Sequence, residues 1–197
     1  MAASRSNSSM DYYIDIKLLQ DPEFSEPQLM SALFSKLHRA LVEVSQNDLG
    51  ISFPYFSKKA LGNTMRLHGS QVRLTQLEGL PWRRGLGDFT EVTEVLKAPQ
   101  TDSGYLVKRI HAQSNVERLR RRAIKRQGIS HEQAVEQIPD SVEEYIQGLP
   151  FVRIKSQSTG GQQFRLYIQQ TEVQSHNGDA PRFSKYGLSQ VSTVPKF

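Results

Sequence analysis

The sequence predicts an α+β chain, and three observations carry that expectation: strand-period alternation near the start, a four-residue leucine period after it, and a second half where short strands flank an arginine-dense helix. From Tyr12 to Leu18, the residues Tyr12, Ile14, Ile16 and Leu18 alternate with Tyr13, Asp15 and Lys17, as in a strand with one buried face. Ser25 with Gln28 three residues later, and Pro27 in the first turn, marks a helix start. Leu29, Leu33, Leu37 and Leu41 then give an apolar stripe to a helix ending near Val44. Short strands are expected around Ile51–Phe53 and Met65–His68, a helix over Ser70–Leu77 and a strand around Glu91–Val95. The resulting βαββαβ order is the split-βαβ, ferredoxin-like (RRM-like) arrangement, shared by RNA-binding modules and many unrelated proteins.

The polar run from Pro99 to Gly104 places a domain boundary. Residues 10–99 are expected to form the ferredoxin-like domain, and residues 105–197 a less regular α/β domain. The second half opens with a strand over Tyr105–Ala112, followed by the Arg-rich helix over about Asn115–Gln127, closed by Gly128. Ser130 and Gln133 cap a short helix over Ala134–Ile138, ended by Pro139, and strands follow at Phe151–Ser156 and Phe164–Ile168. Residues 1–9, small and polar, read as a disordered tail or a cloning remnant.

Composition removes several classes. The 197 residues are 37% hydrophobic and 23% charged, an ordinary globular balance. Cysteine is absent, which excludes disulfides, thiolate metal sites and a cysteine nucleophile, and suits a reducing cytosol. No apolar run reaches the roughly 18 residues of a membrane helix, and the first nine residues lack an apolar signal region, so no membrane partner is expected. The net charge of +5 is mild, but its distribution is not: Arg118 to Arg126 holds six basic side chains and no acidic one.

On a helix, Arg118, Arg121, Arg122, Lys125 and Arg126 fall within an arc of roughly 140°, beside a separate face of Val116, Leu119 and Ala123. Five adjacent cations repel one another unless an anion lies close, so a nucleic-acid backbone fits this stripe; a solvated surface helix and an acidic protein partner are the alternatives. Duplex RNA admits a helix to its major groove only where the groove opens, near the end or loop of a short stem, which favours a hairpin. Arg109 and His111 share a strand face leading into this helix and could read bases beside it, or form an ordinary edge-strand surface.

Five histidines, His38, His68, His111, His131 and His176, show no metal-ligand spacing, and no run of carboxylates could hold paired magnesium ions. Metal and cofactor are therefore not expected. RNA offers another route, in which the ribose 2′-OH attacks its own phosphate and one neutral imidazole takes the proton. His38 falls about 40° beyond Phe34 at the border of the apolar helix face, half desolvated yet reachable; a border histidine is equally a common structural feature. The loop Ser156, Gln157, Ser158, Thr159, Gly160, Gly161 offers hydroxyls and backbone N–H groups to a phosphate or ribose, or is simply a loop. Tyr186, in FSKYGLS, reads by itself as a core aromatic with its hydroxyl satisfied.

Together, the stretches DPEFSEPQLMSALFSKLHRAL, GISFP, SNVERLRRR, LPFV followed by KSQSTG, FRLYI and YGLS resemble the type I-F CRISPR repeat-processing endoribonucleases, in family order from Met10 onward. The resemblance implies a metal-free enzyme that cuts the CRISPR repeat hairpin of precursor RNA at its 3′ base. It implies His38 as general base on the 2′-OH, Ser156 as the residue holding the attacking ribose, Ser158 beside the scissile phosphate, and Tyr186 as the residue orienting His38. It further implies Phe164 stacked on the terminal stem pair, Arg109 reading a base, and Arg118, Arg121, Arg122, Lys125 and Arg126 in the major groove. His111 stands where the family places a base-reading glutamine, Lys125 where it places an arginine, and Gly161 lengthens the glycine loop. The implied partners are the crRNA and the other subunits of the surveillance complex, in a bacterial cytoplasm. The alternatives are a hairpin-binding subunit that caps a ribonucleoprotein without cutting it, and a basic DNA-binding or ribosome-associated protein.

Overall fold

Alternation along Tyr12–Leu18 (β1) sorts its side chains: Ile14, Ile16 and Leu18 are buried, while Tyr13, Asp15 and Lys17 lie on the other face. A computed structural model describes residues 10–44, 47–111, 116–140, 146, 148–155, 161–174 and 181–197. Among these, β1 is followed by α1 (Glu26–Val44), β2 (Gly50–Ser52), β3 (Thr64–Gly69), α2 (Gln71–Glu78), β4 (Thr90–Val92) and β5 (Leu96–Lys97). The strands form an antiparallel sheet in the order β2-β3-β1-β4, with β5 paired to the start of β1. The strand expected around Glu91–Val95 overlaps β4 only, which ends at Val92; β5 lies beyond it, and the two meet opposite ends of β1.

The second sheet follows Ser103 in the chain. It contains β6 (Gly104–Ile110), β7 (Phe151–Lys155), β8 (Gln163–Val173) and β9 (Val194–Pro195), antiparallel in the order β7-β8-β6-β9. Between β6 and β7 lie α3 (Val116–Gln127) and α4 (His131–Gln137). The chain is therefore α+β with two antiparallel sheets. β8 runs five residues past the expected Ile168, because Gln169–Val173 keep pairing with β6 despite their polar composition. β6 ends at Ile110, one residue before His111, short of the expected Ala112. Ala112–Asn115 lie outside the described residues, as does the expected strand end at Ser156. Among the described residues no helix is long and apolar enough to cross a membrane.

The helix starts use the expected side chains. Gln28 Oε1 accepts from the Ser25 amide at 2.9 Å and from Ser25 Oγ at 2.7 Å, occupying donors that would otherwise be orphaned at the α1 N-terminus. Ser130 and Gln133 close a reciprocal capping box on α4. All four stripe leucines of α1 are buried, and α1 also packs against β7, where the Arg153 amide donates to Ser31 Oγ at 3.1 Å.

One continuous core joins the sheets, with Ile14, Ile16, Leu33 and Leu37 on one side and Val107, Val152, Ile154, Leu166 and Ile168 on the other. Two polar devices reinforce the joint. The Gln170 side chain clamps Phe53, accepting from its amide at 2.9 Å and donating to its carbonyl at 2.9 Å, as a neighbouring strand would. The C-terminal segment runs between the sheets: Phe183 N–H donates to Asn47 O, Ile51 N–H to Gly187 O, and Ser189 N–H to Val107 O.

This segment turns tightly at Ser184–Leu188, closed by bonds from Gly187 N–H to Ser184 O at 2.8 Å and from Ser184 N–H to Leu188 O at 2.7 Å. Gly187 has φ 71°, and a Cβ there would stand 2.7 Å from Ile51 Cγ2. Both the backbone and the space require glycine. Gly187→Ala is expected to cost about 1–3 kcal/mol, lowering Tm in thermal unfolding by several degrees; an unchanged Tm would mean that the turn relaxes freely.

Candidate active site

Helix spacing places Phe34 and His38 one turn apart on the same flank of α1. The C-terminal turn lays Tyr186 over both. The Tyr186 ring stacks on His38 with centroids 4.1 Å apart and planes 18° from parallel, and on Phe34 at 6.3 Å and 21°. The same turn presents the Lys185 carbonyl to His38 Nδ1 at 2.7 Å. A carbonyl can only accept, so Nδ1 carries the hydrogen and the neutral ring keeps its lone pair on Nε2. Nε2 makes no hydrogen bond to another described residue. The half-buried ring is thus fixed in position by a stack and in tautomer by a backbone oxygen, and is left with Nε2 as its one basic nitrogen.

The cleft, of about 2120 Å³, runs between α1 and the ends of β6, β7 and β8. Among its lining are His38, Tyr186, Arg109, His111 and Phe164, so five of the residues singled out in the sequence come together. The Arg109 guanidinium carbon stands 5.6 Å from the centroid of Phe164 and 5.6 Å from that of Tyr186, within cation–π range of both rings. His111 is exposed just beyond β6. Ser156 and Ser158 lie outside the described residues, as does His176. His68 is fully buried, with Nε2 2.8 Å from Ser52 Oγ, and His131 is exposed on the first turn of α4. Among the described residues no three His, Asp or Glu side chains gather as metal ligands would.

On α3, Arg118, Arg121, Arg122, Lys125 and Arg126 are all exposed, while Val116, Leu119 and Ala123 turn inward to different degrees. The helix therefore shows a cationic stripe on its free side.

A family model described as CRISPR-associated protein (Cas_Csy4) matches residues 13–197. The chain belongs to the Cas_Csy4 family. It is 44% identical over 190 residues to the CRISPR-associated endonuclease Cas6/Csy4 of Pseudomonas aeruginosa (strain UCBPP-PA14), covering 95% of this chain and 100% of that protein. It is 40% identical over 188 residues to the protein of the same name from Escherichia coli (strain UTI89 / UPEC), covering 95% and 100%.

Two features of this Cas_Csy4 chain escaped sequence reasoning. The Lys185 carbonyl leaves no side-chain signature, because its role comes from the turn. Arg120 does leave one: it lies one turn after Val116, on the packed face of α3, and is only 6% exposed. Its Nε donates to Ile138 O at 3.0 Å, Nη1 to Glu117 at 3.0 Å and Nη2 to Asp140 at 3.0 Å, so one guanidinium ties α3 to the end of α4. Arg120→Lys cannot reproduce this three-way fork. Both Arg120→Lys and Arg120→Ala are expected to speed amide hydrogen exchange across residues 116–138 at least tenfold, read by mass spectrometry; unchanged protection would show that α3 holds its place without the clamp.

Proposed function

We propose that this protein is a metal-independent endoribonuclease that binds the CRISPR repeat hairpin of precursor crRNA and cuts at its 3′ base. The observation that carries the proposal is the His38 environment: Tyr186 stacked at 4.1 Å, Lys185 O on Nδ1 at 2.7 Å, and Nε2 left as the base. Family membership and the endonuclease names of both relatives support the same reading.

In this reaction His38 Nε2 removes the proton of the 2′-OH, the 2′ oxygen bonds to the adjacent phosphorus, and the bond from phosphorus to the 5′ oxygen breaks. That oxygen leaves with a proton from solvent. The products are a 2′,3′-cyclic phosphate and a 5′-hydroxyl. RNA brings its own nucleophile, so a single positioned imidazole suffices and no metal need generate hydroxide. Ser156 is assigned to hold the attacking ribose and Ser158 to lie beside the scissile phosphate.

The stem is gripped along α3. Arg118, Arg121, Arg122, Lys125 and Arg126 meet its phosphates and groove edges where a short A-form stem opens to a helix. Phe164 stacks on the terminal pair, and Arg109 with His111 reads bases above the cut. In domain terms, residues 10–99 act as a ferredoxin-like support that carries His38, and residues 105–197 act as the hairpin-binding half. The sheet order β2-β3-β1-β4 supports that reading. The outer face of this sheet is already occupied, because Arg66 pairs with Asp15 at 2.6 and 2.7 Å and packs between Tyr13 and Phe197. The product stays bound, and the protein remains on the mature crRNA within a surveillance complex in the bacterial cytoplasm.

His38→Ala is expected to lower the single-turnover cleavage rate by about 10²–10⁴-fold while hairpin affinity stays within a factor of two. Cleavage should persist in EDTA and vanish when the nucleotide before the cut carries 2′-deoxyribose. Tight binding without cleavage of the all-ribose hairpin would instead make the protein a non-cleaving cap of a ribonucleoprotein. Equal affinity for duplex DNA of the same length would favour the general DNA-binding reading.

A further inference from the structure

The β7–β8 pair carries charges that its own sheet does not explain. Alternation puts Phe151, Arg153 and Lys155 on one face of β7, with Val152 and Ile154 buried behind them. The register sets Arg153 directly opposite Arg165, both exposed. Like charges directly opposed across two strands repel, and a surface shaped by folding alone would place a carboxylate on one side. Neither arginine, nor Lys155, makes an ion pair among the described residues. The Arg165 guanidinium lies instead over the Phe151 ring, 4.7 Å from its centroid.

These residues border the same cleft as His38. Among the described residues, that cleft is lined by seven Lys and Arg side chains against a single carboxylate, Glu26, in a chain whose net charge is only +5. The bond from the Arg153 amide to Ser31 Oγ holds β7 alongside α1, and Ser31 and His38 are about 10 Å apart along the helix axis. Cations and an aromatic ring therefore continue away from the site along a second track, separate from the α3 stripe. Alternating cations with a stacking ring is the chemistry that takes single-stranded nucleic acid.

We infer that the exposed β7–β8 face, centred on Arg153, Arg165, Lys155 and Phe151, binds the backbone of the single-stranded RNA leaving the base of the hairpin. The inference rests on the hairpin reading above. One flank passes between the opposed arginines, whose repulsion is relieved by a phosphate. The stem remains the business of α3.

The test is fluorescence anisotropy with uncleavable RNAs, each carrying 2′-deoxyribose before the cut: the bare hairpin, the hairpin with a 3′ flank, and the hairpin with a 5′ flank. One flank should tighten wild-type binding by about tenfold with a steeper salt dependence, and the RNA concerned identifies which strand uses the track. Arg153→Glu with Arg165→Glu should abolish that gain and leave the bare hairpin within twofold. The single variant Arg153→Glu converts a repulsive cross-strand pair into an attractive one, so it should raise Tm by about 1–4 °C while losing the flank's gain, a combination that misfolding cannot produce. If neither flank tightens wild-type binding, or the double variant keeps the gain, the inference is overturned and an acidic protein becomes the better partner. If the double variant weakens the bare hairpin equally, the arginines grip the stem and the inference is also overturned. If the wild type does not bind the bare hairpin, the hairpin reading itself fails.

Discussion

The contact between Lys185 O and His38 Nδ1 sets the terms for everything else at the site. It joins residues 147 positions apart, one on the helix of the first sheet and the other on a turn near the C-terminus. The turn can deliver its carbonyl only because Gly187 adopts φ 71° and fits against Ile51 without a Cβ. The turn keeps its place because its segment hydrogen bonds to β2 on one side and β6 on the other. A continuous core holds those sheets together. Stability of the joint between sheets and the tautomer of one histidine are thus the same structural fact seen at two scales.

Arginines in this protein divide by partnership. Arg66 is locked to Asp15, and Arg120 is buried in a fork of three acceptors, so both are structural. The α3 stripe and the opposed Arg153 and Arg165 are exposed cations that make no ion pair among the described residues. Repulsion left standing within a folded protein lowers its stability slightly and is relieved when an anion arrives. Arg109 falls between these groups, held over Phe164 and Tyr186 yet lining the cleft.

Local signals in the sequence were legible wherever a period or a cap decides the structure. Alternation gave β1 at its observed bounds, the leucine stripe gave α1, and the angular sorting of α3 separated five exposed cations from Arg120. Signals failed where pairing partners decide. β8 extends through polar Gln169–Glu172 because β6 lies beside it, and β9 is two residues, one of them Pro195, that read as coil without the edge of β6. For the candidate site, the border position of His38 was visible from spacing, but its nearness to Tyr186 was implied by the family resemblance alone, since no spacing rule relates the two. Lys185 acts through its backbone and could not be found by residue type. The opposed arginines need the β7–β8 register, which only the folded sheet supplies.

The most direct test of this account is the tautomer of His38, read by ¹⁵N NMR of histidine-labelled protein at a pH where the ring is neutral, with His38→Ala used to assign the signals. The account predicts a protonated Nδ1 and an unprotonated Nε2. A neutral ring protonated at Nε2 would contradict it, since that nitrogen could not then accept the proton of the 2′-OH.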